Sequence, residues 1–385
     1  MLIYMLVTLA GAIALGLPWS MPAGNQLSIE RAIFHAVNAG TLTGFQNTVR
    51  PEGMTGIGRA TLLLLTWGGT VLTLHIGALA TKQILRLRYD DRLLLAVSIT
   101  LTSILTFGAA LPLIMAKYDP YSAVLTASAA WGNSGLTAGT LPGVDDLSFQ
   151  LLLLPLSILG GFGVIVLLEI YFLLVARRPL SAHSRAVLVW SAGIYLYAFV
   201  ILCMTIIPER SGAELSAGQT VRLASAGAID TRSAGLPLPM ESFSRSGHWL
   251  LLGLMLLGAT PAGTGGGLKV TILPVLLTGV RDVLARRTPP RTFALACVWL
   301  VSFGGIFFVA ALALLSAQPQ LAGDRVLFIA ASAVSCVGLS HDPLAVTGSG
   351  LYVISLTMLA GRFVPMVILW QQARMAGDED EILVA

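Results

Sequence analysis

The segment GATPAGTGGGLKV at residues 258–270 combines five glycines, a proline and Lys269 inside a strongly apolar part of the chain. A glycine run that ends in lysine could cradle a phosphate, because backbone N–H groups and a nearby positive charge both favour anions. The nucleotide-binding loop, however, requires G-x-x-x-x-G-K-[ST] between a strand and a helix. Here Leu268 separates Gly267 from Lys269, and Val270 replaces the hydroxyl residue. The segment is therefore not predicted to bind a nucleotide.

The composition places most of the chain in a lipid bilayer. Only 11% of its 385 residues are charged and 56% are hydrophobic, whereas a soluble domain carries about 25% charged residues. About 20 apolar residues cross the hydrocarbon core as a helix. Eight apolar segments are predicted to span the membrane: 2–19, 57–81, 93–116, 147–176, 186–207, 248–280, 292–316 and 349–371.

Three short connections between these segments are rich in arginine and lysine, at 82–92, 177–185 and 281–291. Short loops with this bias remain on the cytoplasmic side. The sequence therefore predicts that both termini are cytoplasmic, including the acidic tail, and that the longer connections are external. These basic loops also account for the net charge of +4, so no nucleic-acid partner is predicted.

The longer connections share an internal pattern. Each contains a moderately apolar stretch too short to span, followed by a glycine and then by Phe or Leu; the stretches are 35–47, 128–140, 224–237 and 331–342. Their anchor glycines, 91, 100 and 103 residues apart, are Gly44, Gly135, Gly235 and Gly338. Repetition at such intervals indicates repeated structural units. The predicted units are repeat one at 1–82, repeat two at 83–178, repeat three at 179–287 with a broken second span, repeat four at 288–371, and a cytoplasmic tail at 372–385.

A glycine at the end of a short intramembrane helix has a specific use. Non-helical backbone at membrane depth is tolerated only where it is buried or lines a water-filled path, and rings of backbone carbonyls can replace the hydration shell of a monovalent cation. No carboxylate stands immediately beside the glycines, which argues against a site for divalent ions. The predicted selectivity filter, with K⁺ at its carbonyls, comprises Leu42, Thr43, Gly44, Asn133, Ser134, Gly135, Ser233, Ala234, Gly235, Cys336, Val337 and Gly338.

These observations predict an all-α membrane protein in which four span–pore-loop–span repeats surround a pseudo-fourfold pore. It would contain eight transmembrane helices and four re-entrant pore helices. Each glycine costs a helix about 1 kcal/mol relative to alanine, and proline about 3 kcal/mol, so the sixth span is expected to unwind between Leu257 and Leu268. The unwound stretch would be a movable loop on the cytoplasmic side of the filter.

Two cations at membrane depth need a role, because a charge there usually faces the protein interior or a cavity. Arg362 is expected to set the conduction barrier or to hold the gate; the alternative is that it only pairs with Glu169 or with helix-end carbonyls. The partner of Lys269 is left open. The predicted gate comprises Gly263, Thr264, Gly265, Gly266, Gly267, Lys269 and Arg362.

Several motifs resemble those of the Trk/Ktr superfamily of potassium transporters. They are TRSAGL in repeat three, SCVGLS in repeat four, the glycine pairs at 68–69 and 160–161, AGTGGGLK in the sixth span and GRFVP in the last. The chain departs from the family pattern in TLTGF and WGNSGL, and in Cys336 where threonine is usual.

The resemblance implies uptake of K⁺, or of K⁺ together with Na⁺, across a bacterial inner membrane through a filter gated by loop 259–267. It also implies a homodimer, a cytoplasmic nucleotide-binding subunit of the RCK type, no enzymatic activity and no covalently bound cofactor.

Other modes of transport remain open. The chain could be a Na⁺-dependent or H⁺-coupled symporter, or a channel-like subunit of an ATP-driven pump. A transporter built from inverted repeats is disfavoured, because such repeats alternate in orientation and the four predicted here enter and leave on the same sides. An intramembrane metalloprotease is not indicated, since H-E-x-x-H is absent.

Overall fold

A computed structural model describes residues 1–46, 49–84, 87–206, 216–231, 236, 238–260, 262–341 and 344–375. Over these residues the regular structure is helical, apart from an isolated antiparallel bridge between Ile206 and Phe243. The predicted all-helical fold class is confirmed. The arrangement of eight spans and four re-entrant helices stays a prediction.

The first half of the chain contains both long and short helices. They are α1 Leu2–Gly16, α2 Ile29–Gly40, α3 Gly56–Ile84, α4 Asp91–Met115, α5 Pro120–Gly132, α6 Leu154–Phe162 and α7 Val164–Ala176. A π-helical turn, Phe149–Leu153, leads into α6. The second half contains α8 Ala182–Thr205, α9 Ala217–Asp230, α10 Arg245–Leu256, α11 Ile272–Leu284, α12 Arg291–Ala317, α13 Gly323–Val334 and α14 Ser349–Met375. Single 3₁₀ turns lie at Pro18–Ser20, Pro51–Gly53 and Met240–Ser242.

Within the described residues, α3, α4, α8, α12 and α14 are each long and apolar enough to cross a membrane, and the bent pair formed by α6 and α7 counts as a sixth span if taken together. Helix α1 is apolar but shorter. Large apolar side chains on these helices are exposed, for example Leu64, Met204 and Phe308 at 66%, 79% and 62%. Such exposure is expected of a surface that faces lipid, and it supports a multi-pass membrane protein.

The short helices α2, α5, α9 and α13 form the interior of the molecule. Helix α2 packs against α1, α3 and α14, helix α5 against α3, α4 and α6, helix α9 against α6 and α8, and helix α13 against α10, α12 and α14. Two of them begin at polar caps: Asp119 accepts a hydrogen bond from the N–H of Ser122, and Ser216 forms a capping box with Gln219. Such caps bind N–H groups that lack a partner within the helix.

Two second spans are interrupted. The predicted unwinding of the sixth span is confirmed, because α10 ends at Leu256 and α11 begins only at Ile272. The fourth span, predicted as one uninterrupted segment at 147–176, instead bends by 103° between α6 and α7. Gly163 occupies the bend with φ 79°, a left-handed conformation that glycine adopts at low cost.

Candidate functional site

The three predicted filter segments that the structure describes begin with the same backbone conformation. The residue two places before each anchor glycine is left-handed, with φ of 60°, 54° and 50° at Leu42, Asn133 and Cys336. The next residue donates its N–H to the carbonyl five residues earlier: Thr43 to Asn38 at 3.0 Å, Ser134 to Ala129 at 2.8 Å and Val337 to Ser332 at 2.9 Å. This is the Schellman ending of a helix. It turns the chain sharply away from each short helix just before the predicted filter.

These segments also pack directly against one another. A Cβ atom built on Gly44 would collide with the carbonyl oxygen of Ser134, and one on Gly338 would collide with the carbonyl oxygen of Thr43. Only glycine permits backbones to approach so closely. The segments of repeats four, one and two are therefore consecutive neighbours. Ser233, Ala234 and Gly235 of repeat three lie outside the described residues.

Side-chain hydrogen bonds from Asn38 and Gln46, hereafter the brace, hold the segment of repeat one. The carboxamide of Asn38 accepts a hydrogen bond from the N–H of Phe45 at 2.8 Å and donates one to the carbonyl of Phe45 at 3.0 Å. Gln46 donates to the carbonyl of Gly135 at 2.7 Å and to the hydroxyl of Thr137 at 2.8 Å. The brace thus fixes repeat one internally and ties it to repeat two.

In three repeats the second span touches the end of the preceding short helix at the same place. A Cβ atom would collide there with a carbonyl oxygen four residues before the anchor glycine. The pairs are Gly69 with Gly40, Gly160 with Trp131, and Gly361 with Val334. These close approaches explain one glycine in each of these three second spans.

The segment 257–271 between α10 and α11, hereafter the intramembrane loop, folds back on itself. Ala259 donates its N–H to the carbonyl of Gly266 at 3.0 Å, and Val270 donates to the carbonyl of Ala259 at 3.1 Å. A Cβ atom on Gly263 would meet the carbonyl of Gly161 in α6, and one on Gly266 would meet the carbonyl of Ser335 beside the filter segment of repeat four. The loop therefore contacts both repeat two and repeat four.

Arg362 joins the intramembrane loop to the first filter segment. Its guanidinium donates to the carbonyl of Thr264 at 2.7 Å and to the carbonyl of Thr41, the C-cap residue of α2. Glu169 instead accepts a hydrogen bond from the N–H of Ser181 at 2.9 Å. Of the two alternative partners considered for Arg362, pairing with Glu169 is therefore wrong, whereas bonding to a helix-end carbonyl is observed.

Lys269 also binds within the loop, since its ammonium donates to the carbonyl of Gly265 at 2.9 Å. Next to it lies a small cavity of about 30 Å³, lined by loop residues together with Trp299 and Arg362. Because about 10–15 Å³ of such space is enough for one water molecule, the cavity could hold about two or three.

Two features of the site were not anticipated from the sequence. The carboxamide of Asn133, assigned only to the filter, donates to the hydroxyl of Thr264 in the loop at 2.5 Å. Asp230, at the end of α9, is fully buried, and neither carboxylate oxygen has a hydrogen-bond partner in the described part of the chain. The burial of Asp230 could have been suspected from the sequence, because it is a single acidic residue in the apolar stretch AGAID. Nothing in the sequence links residues 133 and 264.

Comparison with known proteins bears on this geometry. No family model matches the chain. The chain is 24% identical over 408 aligned residues to the Ktr system potassium uptake protein B of Vibrio alginolyticus, covering 96% of this chain and 89% of the relative. It is 24% identical to the potassium/sodium uptake protein NtpJ of Enterococcus hirae, covering 75% and 70% of the two chains. The crystal structure of the potassium transporter TrkH from Vibrio parahaemolyticus superposes with a TM-score of 0.77 at 16% identity, over 96% of this chain and 83% of the other.

These findings first define the class: an all-helical, multi-pass membrane protein with the fold of a solved transporter. The match to the Vibrio alginolyticus protein extends along nearly the whole of both chains. These similarities support the resemblance to membrane subunits of the Trk/Ktr superfamily that the sequence motifs indicated.

Proposed function

We propose that the chain mediates uptake of K⁺ across the cell membrane through a pore lined by backbone carbonyls. The names of its relatives, a potassium uptake protein and a potassium/sodium uptake protein, support this proposal. The observation that carries it is the shared left-handed ending of α2, α5 and α13, followed by glycine segments that pack side by side. The fourth segment, 233–235, would complete the ring.

The direction of the short helices suits a cation. The C-terminal end of a helix carries a partial negative charge of about half an electron, and α2, α5 and α13 each end at a predicted filter segment. Carbonyl oxygens beyond these ends would replace the water around a partly dehydrated K⁺. The brace between Asn38 and Phe45 would hold the segment of repeat one at a fixed width, which supports discrimination by ion size.

The intramembrane loop is proposed as the gate. Most of its described residues are buried, it lies against repeats two and four, and a small cavity of about 30 Å³ lies beside Arg362. The Arg362 guanidinium would hold the loop closed and repel cations that pass the filter. Transport would therefore require the loop to move and the bond between Arg362 and Thr264 to break.

Sodium is a second candidate substrate, favoured by the potassium/sodium relative from Enterococcus hirae. H⁺ coupling and service as the channel-like subunit of an ATP-driven pump remain further candidates from the sequence. The family resemblance supports three additional proposals: a homodimer, a cytoplasmic RCK-type regulatory subunit, and insertion in the bacterial inner membrane with both termini cytoplasmic. No enzymatic step is proposed.

The experiment is uptake of Rb⁺ and Na⁺ into liposomes that contain the purified protein, with K⁺ inside and with the regulatory subunit added. We expect Rb⁺ uptake to exceed Na⁺ uptake. Gly338→Ala should lower the Rb⁺/Na⁺ ratio about tenfold, because an added Cβ would displace the carbonyl of Thr43 and a change of ~1.4 kcal/mol between the ions gives a factor of ten. Gly235→Ser should likewise loosen discrimination.

Gly24→Ala is the matched control for Gly338→Ala. Gly24 also has a positive φ, 91°, but a Cβ there would meet nothing within 4 Å. It carries similar backbone strain and should leave the ratio unchanged. Absence of Rb⁺ uptake, or a ratio that does not respond to Gly338→Ala in folded protein, would contradict the proposed pore.

A further inference from the structure

Thr264 has all of its hydrogen-bonding groups engaged, although it lies in a non-helical loop. Its N–H donates to the carbonyl of Gly160 at 3.2 Å, and its carbonyl accepts from Arg362 at 2.7 Å. Its hydroxyl accepts from Asn133 at 2.5 Å and donates to the carbonyl of Trp131 at 3.4 Å. The residue is fully buried, so each lost bond leaves a polar group without a partner and costs free energy. Thr264 therefore attaches the loop to α5, α6 and α14 at once.

Asn133 is the filter end of this connection. Its Nδ2 donates to the carbonyl of Ser157 at 3.1 Å as well as to the hydroxyl of Thr264. Its backbone has φ 54°, a conformation that asparagine tolerates better than most residues. The carboxamide is fully buried, and Oδ1 has no partner in the described ranges. The orientation of the group is therefore set by its two Nδ2 bonds, one of which belongs to the loop.

The equivalent positions in the other described filter segments are not connected in this way. Leu42 has no polar side-chain atom, and the thiol of Cys336 donates to the carbonyl of Met358 in α14 at 3.5 Å. Among the three described segments, the link from this position to the intramembrane loop thus occurs in repeat two. It ties one side of the predicted ring to the loop.

A change at Asn133 reaches the predicted ion path through the backbone. The next residue, Ser134, presents the carbonyl against which Gly44 packs. If the hydroxyl of Thr264 leaves, Asn133 loses one of the two bonds that fix its side chain, and the peptide between Asn133 and Ser134 is less constrained. The carbonyl of Ser134 could then shift against Gly44 and alter the width of the ring.

We propose that Asn133 and Thr264 form a latch that couples the intramembrane loop to the filter, so that release of the loop both raises flux and lowers discrimination between K⁺ and Na⁺. This inference rests on the proposed function, because it assigns a specificity-determining role to two residues of that pore. Coupling is reciprocal: an ion that holds the segment of repeat two in place also favours the closed loop.

The test measures Rb⁺ and Na⁺ uptake in liposomes for four variants beside the wild type. Thr264→Val removes the hydroxyl and nearly preserves the shape, whereas Thr264→Ser restores the hydroxyl. Asn133→Gly removes the carboxamide and accepts the left-handed backbone. The fourth variant combines Asn133→Gly with Thr264→Val, and coupled neighbours in such cycles give non-additive effects.

We expect Thr264→Val to raise Rb⁺ uptake and to lower the Rb⁺/Na⁺ ratio about fivefold, within the range of measured coupling between contacting residues. Asn133→Gly should lower the ratio by a similar factor. The double variant should be no less selective than either single variant, because each change already breaks the same bond. Thr264→Ser should retain the wild-type ratio.

Thr260→Val is the matched control within the loop. The hydroxyl of Thr260 donates to the carbonyl of Gly161 at the α6–α7 bend, whereas the two bonds of Asn133 go to Ser157 and Thr264. This variant should raise Rb⁺ uptake but lower the Rb⁺/Na⁺ ratio less than Thr264→Val does, because the bond between Asn133 and Thr264 is kept. It separates loosening of the gate from loss of the latch.

A higher flux with an unchanged ratio in Thr264→Val, or additive losses in the double variant, would overturn the latch and leave the proposed pore intact. If wild type and all variants take up no Rb⁺, the proposed function itself fails. Each variant is first checked for a monodisperse size-exclusion profile. If Thr264→Val does not pass, Thr264→Ala replaces it with the same expected loss of selectivity.

Discussion

The second span of repeat one and that of repeat three perform different tasks with the same residue type. Helix α3 continues through Gly68, Gly69 and Gly77 over Gly56–Ile84. The span of repeat three loses its helix over 257–271, where five glycines and a proline fall within ten residues. An isolated glycine costs a helix about 1 kcal/mol, and contact with a neighbouring helix can offset that cost. The contrast shows that clustering, rather than the presence of glycine, decides whether the span breaks.

Repeat two lies between these extremes. Three glycines at 160, 161 and 163 do not remove the helix, but they allow a bend of 103°. At the bend, a Cβ atom on Gly163 would collide with the carbonyl of Ala262 in the intramembrane loop. The broken span of repeat three thus has a complementary bend in its neighbour, and the two are best understood together.

The largest effect is expected from deleting Ala262–Gly266, which would make the span of repeat three more like that of repeat one. The deletion removes Thr264 and the bond that Arg362 makes to the loop. Rb⁺ uptake in liposomes should rise at least about tenfold, equivalent to a barrier lower by ~1.4 kcal/mol. Unchanged or lower uptake in a monodisperse deletion variant would break the comparison, because the loop would then not obstruct the path.

A smaller effect is expected when the bend of repeat two is changed. Gly163→Ala places a Cβ against the loop and forces alanine into φ 79°, which should destabilise the protein by about 2–4 kcal/mol. Thermal unfolding in detergent would report this as a lower midpoint.

Gly68→Ala is the control for the bend, because a Cβ at Gly68 would meet nothing within 4 Å in the straight helix α3. It should be neutral, or stabilising by up to about 1 kcal/mol. Equal midpoints for the two variants would show that the bend does not depend on Gly163.

The brace of repeat one offers a third test, since it acts on a filter without touching either broken span. Asn38→Ala leaves the N–H and carbonyl of Phe45 without their side-chain partner, at a cost of about 1–3 kcal/mol. The Rb⁺/Na⁺ ratio should fall, while Rb⁺ uptake should rise less than in the loop deletion. Asn25→Ala in the exposed loop after α1 is the control. A wild-type Rb⁺/Na⁺ ratio in Asn38→Ala would show that the brace does not contribute to selectivity.

The smallest effect concerns the start of α5. Backbone hydrogen bonding from Ser122 lowers the pKa of Asp119 below its usual value of 3.8. A lowered carboxyl pKa contributes stability above the unfolded-state value, and that contribution is lost as the pH falls through the lowered value. Asp119→Ala should therefore destabilise the protein by about 1 kcal/mol at pH 7, with a smaller difference from wild type below pH 4. Asp119→Ser, which also caps helices, should keep most of the stability at both pH values.

Local rules account for the parts of the fold that the sequence predicted. The glycine cluster at 258–267 disfavours a helix through its own backbone preferences, so the break could be predicted. The apolar runs likewise favour lipid through their own composition. The anchor glycines Gly44, Gly135 and Gly338 were found by their repetition, and each has a positive φ in the structure, of 80°, 29° and 87°.

Tertiary contacts account for what the sequence did not predict. The bend at Gly163 depends on how Ala262 approaches it, and the bond from Asn133 to Thr264 joins residues 131 positions apart. No periodicity or local motif encodes such a pair. The burial of Asp230 is a similar case, because it depends on the elements that pack around the end of α9. The sequence alone does not show whether that helix end meets water.

If the loop is the gate, the four hydrogen bonds of Thr264 would make the opening of the pore a hydration event. When the loop departs, the carbonyls of Gly160 and Trp131, the carboxamide of Asn133 and the guanidinium of Arg362 each lose a partner. Water must take those places, since unpaired buried polar groups are costly. The open conformation consequently holds more water than the closed one. A membrane-impermeant osmolyte excluded from the pore should therefore act as an inhibitor, closing the protein by withdrawing solvent rather than by binding to it.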